Sequence, residues 1–281
     1  EKVAMADADE ALREYSLMAP ETARMNHDSD VRAVAFSPDG HILATAGWDG
    51  VLILWDTNGN GLNTIQACGQ ATSLAFSPDG SLIVTGCVDG NGVKLWRRSG
   101  ELLATLEGHR AAVLSVSFSP DGQTIASAAA DRTVRLWRLD GTLLTTLTGH
   151  RSAVWDVAFS PVPGASPEGT AQLLATVSSD RQIRLWQLSA RGDSTSGTLL
   201  TILNGHTDSV QQVAFSADGK TLISSSNDGT TLLWDLDVFL DTHQLVQSGR
   251  EWVMDYVQVH PTMTAYQVKL CTEIWDNNQA R

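Results

Sequence analysis

GHRAAVLSVSFSPDGQTIASAAADRTVRLW, residues 108–137, is the stretch on which the fold turns. It opens on Gly108-His109, alternates apolar residues up to Phe118 and breaks at Ser-Pro-Asp-Gly. Two more apolar runs follow, the second closing on Trp137. Apolar spacing near two suits strands rather than helices. Pro-Asp-Gly between two such runs is a turn signal. The unit reads as strand A ending at Phe118, a turn, strand B, a tight turn, strand C ending at Trp137, then strand D.

The unit recurs along the chain. Phe-Ser-Pro-Asp-Gly stands whole at residues 36–40, 76–80 and 118–122, and returns as FSPVPG from Phe159 and FSADG from Phe215. The first three intervals are 40, 42 and 41 residues. Each copy is followed by a run ending in tryptophan: Trp55, Trp96, Trp137, Trp186 and Trp234. Trp55 and Trp234 continue as Trp-Asp. One small sheet cannot bury its faces alone, whereas sheets stacked radially cover one another and leave only short edges. The expected fold class is all-β: a β-propeller of four-stranded antiparallel blades, with five repeats over residues 26–235.

This pattern resembles the WD40 repeat family over about residues 3–235. The family's Gly-His pair before strand A stands at Gly108-His109, Gly149-His150 and Gly205-His206. His27 lies nine residues before Phe36, like its counterparts, but follows Asn26. The unit before Phe76 has Ala67 or Cys68 at that place. An aspartate precedes each strand-C tryptophan by six residues, or by seven for Asp89, and a hydroxyl precedes each aspartate by four. The resemblance implies a hydrogen-bonded tetrad in each blade. The sets are His27/Thr45/Asp49/Trp55, His109/Ser127/Asp131/Trp137, His150/Thr176/Asp180/Trp186 and His206/Ser224/Asp228/Trp234. The second blade keeps Thr85, Asp89 and Trp96.

Ser, His and Asp are also the residue types of a nucleophilic triad. Their repetition argues for a structural role, since a hydrolase needs one site with an oxyanion hole, not four equivalent sets. No Walker loop, HExxH or GxSxG occurs. The sequence therefore points to no catalytic residue, no metal site and no cofactor.

Composition narrows the function classes. Nineteen basic against 32 acidic residues in 281 give a net charge of −13. A nucleic-acid binder needs a basic face, so neither nucleic acid nor an anionic membrane is an expected partner. No apolar run is long enough to span a bilayer. Cys68, Cys87 and Cys271 are an odd, scattered set without CxxC spacing, which reads as reduced thiols in a cytoplasmic setting. The chain begins at Glu1, which suggests that the natural N-terminus lies further upstream.

Residues 1–25 align with the C and D strands of a decayed preceding blade: Asp9 to Tyr15 matches Asp131 to Trp137 without a gap. A short amphipathic helix is the alternative. The decayed blade makes the chain part of a seven-bladed ring. The alternative is closure with five blades, residues 21–25 serving as the last strand D. Two insertions, residues 161–172 and 189–198, enlarge an A–B and a C–D turn of the fourth unit and read as surface loops. Residues 236–281 read as a helical tail. Glu251-Trp-Val-Met-Asp-Tyr256, His260-Pro261 and Lys269-Leu-Cys271 resemble the tail that closes WD-repeat regions in bacterial signal-transduction ATPases of the STAND/NACHT type.

The family likeness implies docking on the face that carries the D–A and B–C loops. There Trp48 precedes Asp49, and Trp155 lies four residues before Phe159, the place of Arg32 and Leu114 in other units. Aromatic and arginine residues are the usual interface anchors, so Arg32, Trp48, Leu114 and Trp155 are the candidate patch, unless both indoles are buried between blades. The expected function is a non-catalytic scaffold or sensor that docks a protein or peptide. The alternatives are a ligand-sensing module of a larger STAND-type ATPase and a propeller hydrolase or lyase.

Overall fold

A computed structural model describes residues 25–88, 92–162, 172–191 and 194–236. The N-terminal partial blade, Asp89, the helical tail with Cys271, and most of the 161–172 insertion lie outside the described residues.

Strands follow one another as simple meanders. β1 (Val31–Phe36), β2 (Ile42–Gly47), β3 (Val51–Asp56) and β4 (Gly61–Gln66) form the first sheet. β5 (Ala71–Phe76), β6 (Leu82–Cys87), β7 (Val93–Arg97) and β8 (Leu102–Leu106) form the second. β9 (Val113–Phe118), β10 (Thr124–Ala129), β11 (Val134–Arg138) and β12 (Leu143–Leu147) form the third. β13 (Val154–Phe159), β14 (Gln172–Ser178), β15 (Gln182–Arg191) and β16 (Ser194–Asn204) form the fourth. β17 (Val210–Phe215), β18 (Thr221–Ser226) and β19 (Thr231–Asp235) form the fifth, three-stranded among the described residues. These are the antiparallel blades of a β-propeller. The chain divides into two compact units, Glu1–Val116 and Ser117–Arg281.

Burial explains the composition of each strand. The second strands, ILATAG, LIVTGC, TIASAA and QLLATVS, are buried along most of their length. Both faces are covered, so the apolar run is nearly continuous rather than alternating. Alanine, glycine and hydroxyl residues there let a neighbouring sheet approach. The fourth strands β4 and β8 are mostly exposed. In the first unit, Ile42, Leu52, Leu54 and Ile65 pack with Leu74, Ile83 and Trp96 of the second sheet. In the second unit, Leu136 and Leu147 pack with Val157, Leu174 and Trp186, and Ile183 and Leu185 pack with Val213 and Leu222.

The Ser-Pro-Asp-Gly turn is held by its own side chains. The Ser37 hydroxyl donates to Asp39 and accepts the Ile42 amide at 2.9 Å; Gly40 N–H closes onto the Ser37 carbonyl at 2.8 Å. Ser77, Ser119 and Ser216 repeat the arrangement. The Ser77 hydroxyl and the amide and hydroxyl of Ser81 hold the Asp79 carboxyl well below its ordinary value, at about 2.

The 189–198 insertion is not a loop over most of its length. β15 and β16 continue their ladder through it, down to the pair Arg191↔Ser194. Serine and glycine suggested a flexible segment. Once a hairpin is running, interstrand hydrogen bonds keep the backbone polar groups satisfied, and threonine suits a strand.

Candidate functional site

His27, His150 and His206 each join a closed four-residue network. His27 Nδ1 lies 2.8 Å from Asp49 Oδ2 and its Nε2 lies 2.7 Å from Thr45 Oγ1, while Trp55 Nε1–H donates to Thr45 Oγ1 at 2.7 Å. His150, Asp180, Thr176 and Trp186 repeat this at 2.9, 2.9 and 3.0 Å. His206, Asp228, Ser224 and Trp234 repeat it at 3.0, 2.8 and 2.9 Å. A carboxylate only accepts, so the ring proton belongs on Nδ1. Each relay therefore runs one way: indole to hydroxyl, hydroxyl to Nε2, Nδ1–H to carboxylate. In the third sheet, Trp137 donates to Ser127 at 2.8 Å, His109 is buried, and Asp131 accepts the amide and hydroxyl of Thr133.

These relays present no nucleophile to a substrate. The hydroxyls of Thr45, Thr176 and Ser224 are buried and each is engaged by an indole. The aspartates also hold the loop backbone: Asp180 accepts the amides of Arg151 and Gln182 at 2.8 and 3.1 Å. The Gly-His pair has a steric basis as well. Gly149 has φ +129°, and a Cβ there would run into the Arg184 guanidinium.

Burial pushes the Asp180 carboxyl up, but the hydrogen bond and charge of His150 and the two amides outweigh it and hold it at about 2, below the ordinary 3.8. The Thr230 hydroxyl, the His206 ring and two amides hold Asp228 below the usual carboxylate range. With the folded pKa depressed, the unfolded chain takes up the proton first as pH falls. The stabilisation is whole above about pH 4 and disappears towards about pH 2. An Asp180→Asn variant is expected to show a shallower acid slope of stability over that window, by up to one proton. An unchanged slope in urea titrations at several pH values removes Asp180 from the acid limb. Replacing His150 with Ala strands the Asp180 carboxylate and the Thr176 hydroxyl, and is expected to cost about 1–3 kcal/mol, read as a lower urea midpoint.

The second sheet differs. Trp96 Nε1–H still donates to the buried Thr85 hydroxyl at 3.0 Å, while Asp89 is not described. Cys68 and Cys87 are joined in a disulfide, with Cα atoms 6.3 Å apart. This corrects the expectation of reduced thiols and removes the thiol argument for a cytoplasmic setting. The pairing is non-local: Cys68 lies in the β4–β5 loop beside the vacant histidine place, and Cys87 ends β6. In the fourth and fifth sheets the residues matching Cys87 are Ser178 and Ser226. Each donates a hydroxyl to the corresponding loop, at Ser152 O and Asp208 O, 3.2 and 3.1 Å away. The disulfide fastens the same loop covalently where the histidine is missing. Ala67 and Cys68 also donate their amides to Gly50 O, and Lys94 Nζ donates to Ala67 O at 2.6 Å.

Two of the candidate docking residues, Arg32 and Trp155, share a backbone cause. Strand A slips register between Val31 and Ala33, Ala71 and Ser73, Val154 and Asp156, and Val210 and Gln212. The extra residues are Arg32, Thr72, Trp155 and Gln211. Such bulges re-aim a side chain, here towards the corner before the tetrad aspartate. The Arg32 guanidinium lies 4.8 Å from the centroid of the Trp48 ring. Trp155 Nε1–H donates to Ser179 Oγ at 2.6 Å, and Ser209 donates to the same oxygen at 2.9 Å. Trp48 and Trp155 are 42% and 37% exposed, so neither indole is buried between sheets. Leu114 is half-buried. Thr72 turns inward instead, its hydroxyl 2.6 Å from Val113 O. The residue type at the bulge position differs from unit to unit in the sequence, but the slip that creates the bulge exists only in the pairing of two strands.

A concavity of about 450 Å³ in the second unit is lined by Asp156, Gln212, Val213, Ile223 and Thr231, among others. Asp156 is its one titratable residue among the described residues, and its Oδ2 accepts the Val213 amide at 3.0 Å. No cluster of metal-ligating side chains and no helix long and apolar enough to cross a membrane occur among the described residues.

The profile of the WD domain, G-beta repeat, matches residues 21–56, 59–97, 100–138, 141–187 and 197–235. These matches cover more than half of the chain, and the chain belongs to the WD40 repeat family. It is similar to Protein FIZZY-RELATED 3 of Arabidopsis thaliana, 40% identical over 38% of this chain and 24% of the relative. It is similar to "Cell division cycle 20.6, cofactor of APC complex" of the same plant, 38% identical over 38% of this chain and 27% of the relative. Nuclear distribution protein PAC1 of Arthroderma benhamiae is 32% identical over 62% of this chain and 38% of the relative. The matched part thus spans well under half the length of each of these relatives.

Proposed function

We propose that this chain is a non-catalytic protein-interaction scaffold that docks a protein or peptide on the loops flanking its A strands. The observation that carries the reading is the pair of half-exposed tryptophans. Each sits in a bulge-and-corner pair and is held by a partner of its own, Arg32 on Trp48 and Ser179 on Trp155. Indoles fixed before binding lose little side-chain entropy on docking, which favours their use as anchors. The four-residue networks serve as internal braces. Relatives whose printed names describe a cofactor of a complex support the same reading.

The test is a peptide library selected against the intact chain. Enriched peptides are expected to lose affinity in Trp48→Ala or Trp155→Ala, with the thermal midpoint unchanged. Peptides that bind both variants as well as the original overturn the reading. The likeness of residues 236–281 to a STAND-type tail supports a second version, in which the same surface senses for an ATPase encoded upstream; a P-loop in the adjoining coding sequence is its test.

A further inference from the structure

We propose that the corner of the fourth sheet reads acidic peptide segments, a specification that rests on the docking function just described. The relevant residues are tied to one short turn. Trp155 is tied to Ser179, the residue before Asp180. Arg151 gives its amide to Asp180 Oδ2 at 2.8 Å. Arg181 follows Asp180 in the chain. Arg151 and Arg181 are both exposed, and neither has a carboxylate partner among the described residues.

The backbone of Arg181 is unusual. Arg132 and Arg181, with φ +72° and +71°, are the only non-glycine residues in the left-handed region among the described residues. In the first and fifth sheets the same place is taken by Gly50 and Gly229, with φ +73° and +81°. A left-handed arginine is strained where glycine fits freely, and such strain clusters at functional sites. The third and fourth units carry arginine both after the histidine (Arg110, Arg151) and after the aspartate (Arg132, Arg181); only the fourth adds a tryptophan at the bulge.

Charge decides the class of partner. The chain as a whole carries −13, so two exposed arginines without a carboxylate partner among the described residues, on the turn that also holds an exposed tryptophan, run against the general field. Two described carboxylates close by in sequence are already engaged. Asp180 is nearly buried and accepts His150 and the Arg151 amide, and Asp156 accepts the Val213 amide at 3.0 Å. With its N–H committed to Ser179, the Trp155 indole has only its apolar surface to offer. The partner that fits is an extended segment with an apolar side chain flanked by carboxylates, packing on Trp155 and pairing with Arg151 and Arg181.

The experiment is fluorescence anisotropy with the full chain and three short fluorescein-labelled peptides, each an apolar residue flanked by glutamates, glutamines or lysines. The glutamate peptide is expected to bind best, with affinity falling as salt rises. Arg181→Gly removes the charge while relieving the backbone, so a purely structural arginine predicts an unchanged or higher melting midpoint and no loss of binding. The proposal predicts at least about fivefold weaker binding of the glutamate peptide with the midpoint unchanged or raised, and the same loss for Arg151→Ala. If the glutamine peptide binds equally well and only Trp155→Ala weakens it, docking stands and the acidic class is overturned. Preference for the lysine peptide overturns it too. If no peptide binds above the level of Trp155→Ala, the site itself falls.

Discussion

Replacing Trp137 with Ala is expected to lower the unfolding free energy by about 3–5 kcal/mol, the range for large aromatic truncations in a packed interior. Trp137 is 1% exposed and is the largest fully buried side chain among the described residues. It stands opposite Ile125 where β11 pairs with β10, and the Arg135 guanidinium lies 5.8 Å from the centroid of its ring. Truncation opens a cavity in a rigid sheet stack that collapses poorly, and it deprives the buried Ser127 oxygen of its indole donor. Two effects act at one residue, so the substitutions should separate them. Trp137→Phe keeps most of the volume but loses the N–H, and is expected to cost about 1–3 kcal/mol. Trp155→Ala, at a 37% exposed position, is expected to stay within about 1 kcal/mol of the original protein. Urea unfolding of the three variants checks the order; a Trp137→Ala midpoint no lower than that of Trp155→Ala refutes the assignment of the strand-C tryptophans to the interior.

The contrast between Trp137 and Trp155 also marks how far the sequence could be read. Trp137 closes an apolar run that recurs at a fixed interval, and periodicity of two fixes both its strand and its face. The strands and the turns after Phe-Ser follow from that repetition; the network residues recur with it, while their bonding to one another is what the WD40 resemblance implies. Trp155 breaks the pattern. Its orientation depends on a register slip between Val154 and Asp156, and a slip is a property of two strands together, not of one run of residues. The 189–198 segment differs from its expected loop for a similar reason: its composition resembles a linker, and only pairing with its own continuation makes it a strand. The disulfide is the clearest case. Cys68 and Cys87 are 19 residues apart with no local motif, and they meet only because a loop and the end of β6 share one corner of a sheet.

Reduction of that disulfide is expected to lower stability by about 3 kcal/mol, the loop-entropy contribution for a closed loop of this size. Cys87→Ser in oxidising buffer should give the same loss, and a reductant should then have no further effect on the variant. Identical urea midpoints with and without dithiothreitol remove the cross-link from the account of stability. A second substitution tests why the bond is there. The closed networks place histidine nine residues before the strand-A phenylalanine, and in the second sheet that place is Ala67, which is fully buried. Thr85, the hydroxyl that such a histidine meets in the other sheets, is also fully buried and already receives the Trp96 indole. In a chain lacking both cysteines, Ala67→His should therefore regain part of the loss, about 1–2 kcal/mol, by completing the relay from indole to hydroxyl to imidazole. If the disulfide merely crosses a loop that needs no fastening, a buried imidazole at residue 67 finds no role and lowers stability further. The two outcomes have opposite signs, so one pair of melting curves separates a cross-link that substitutes for a lost network from one that is incidental to it.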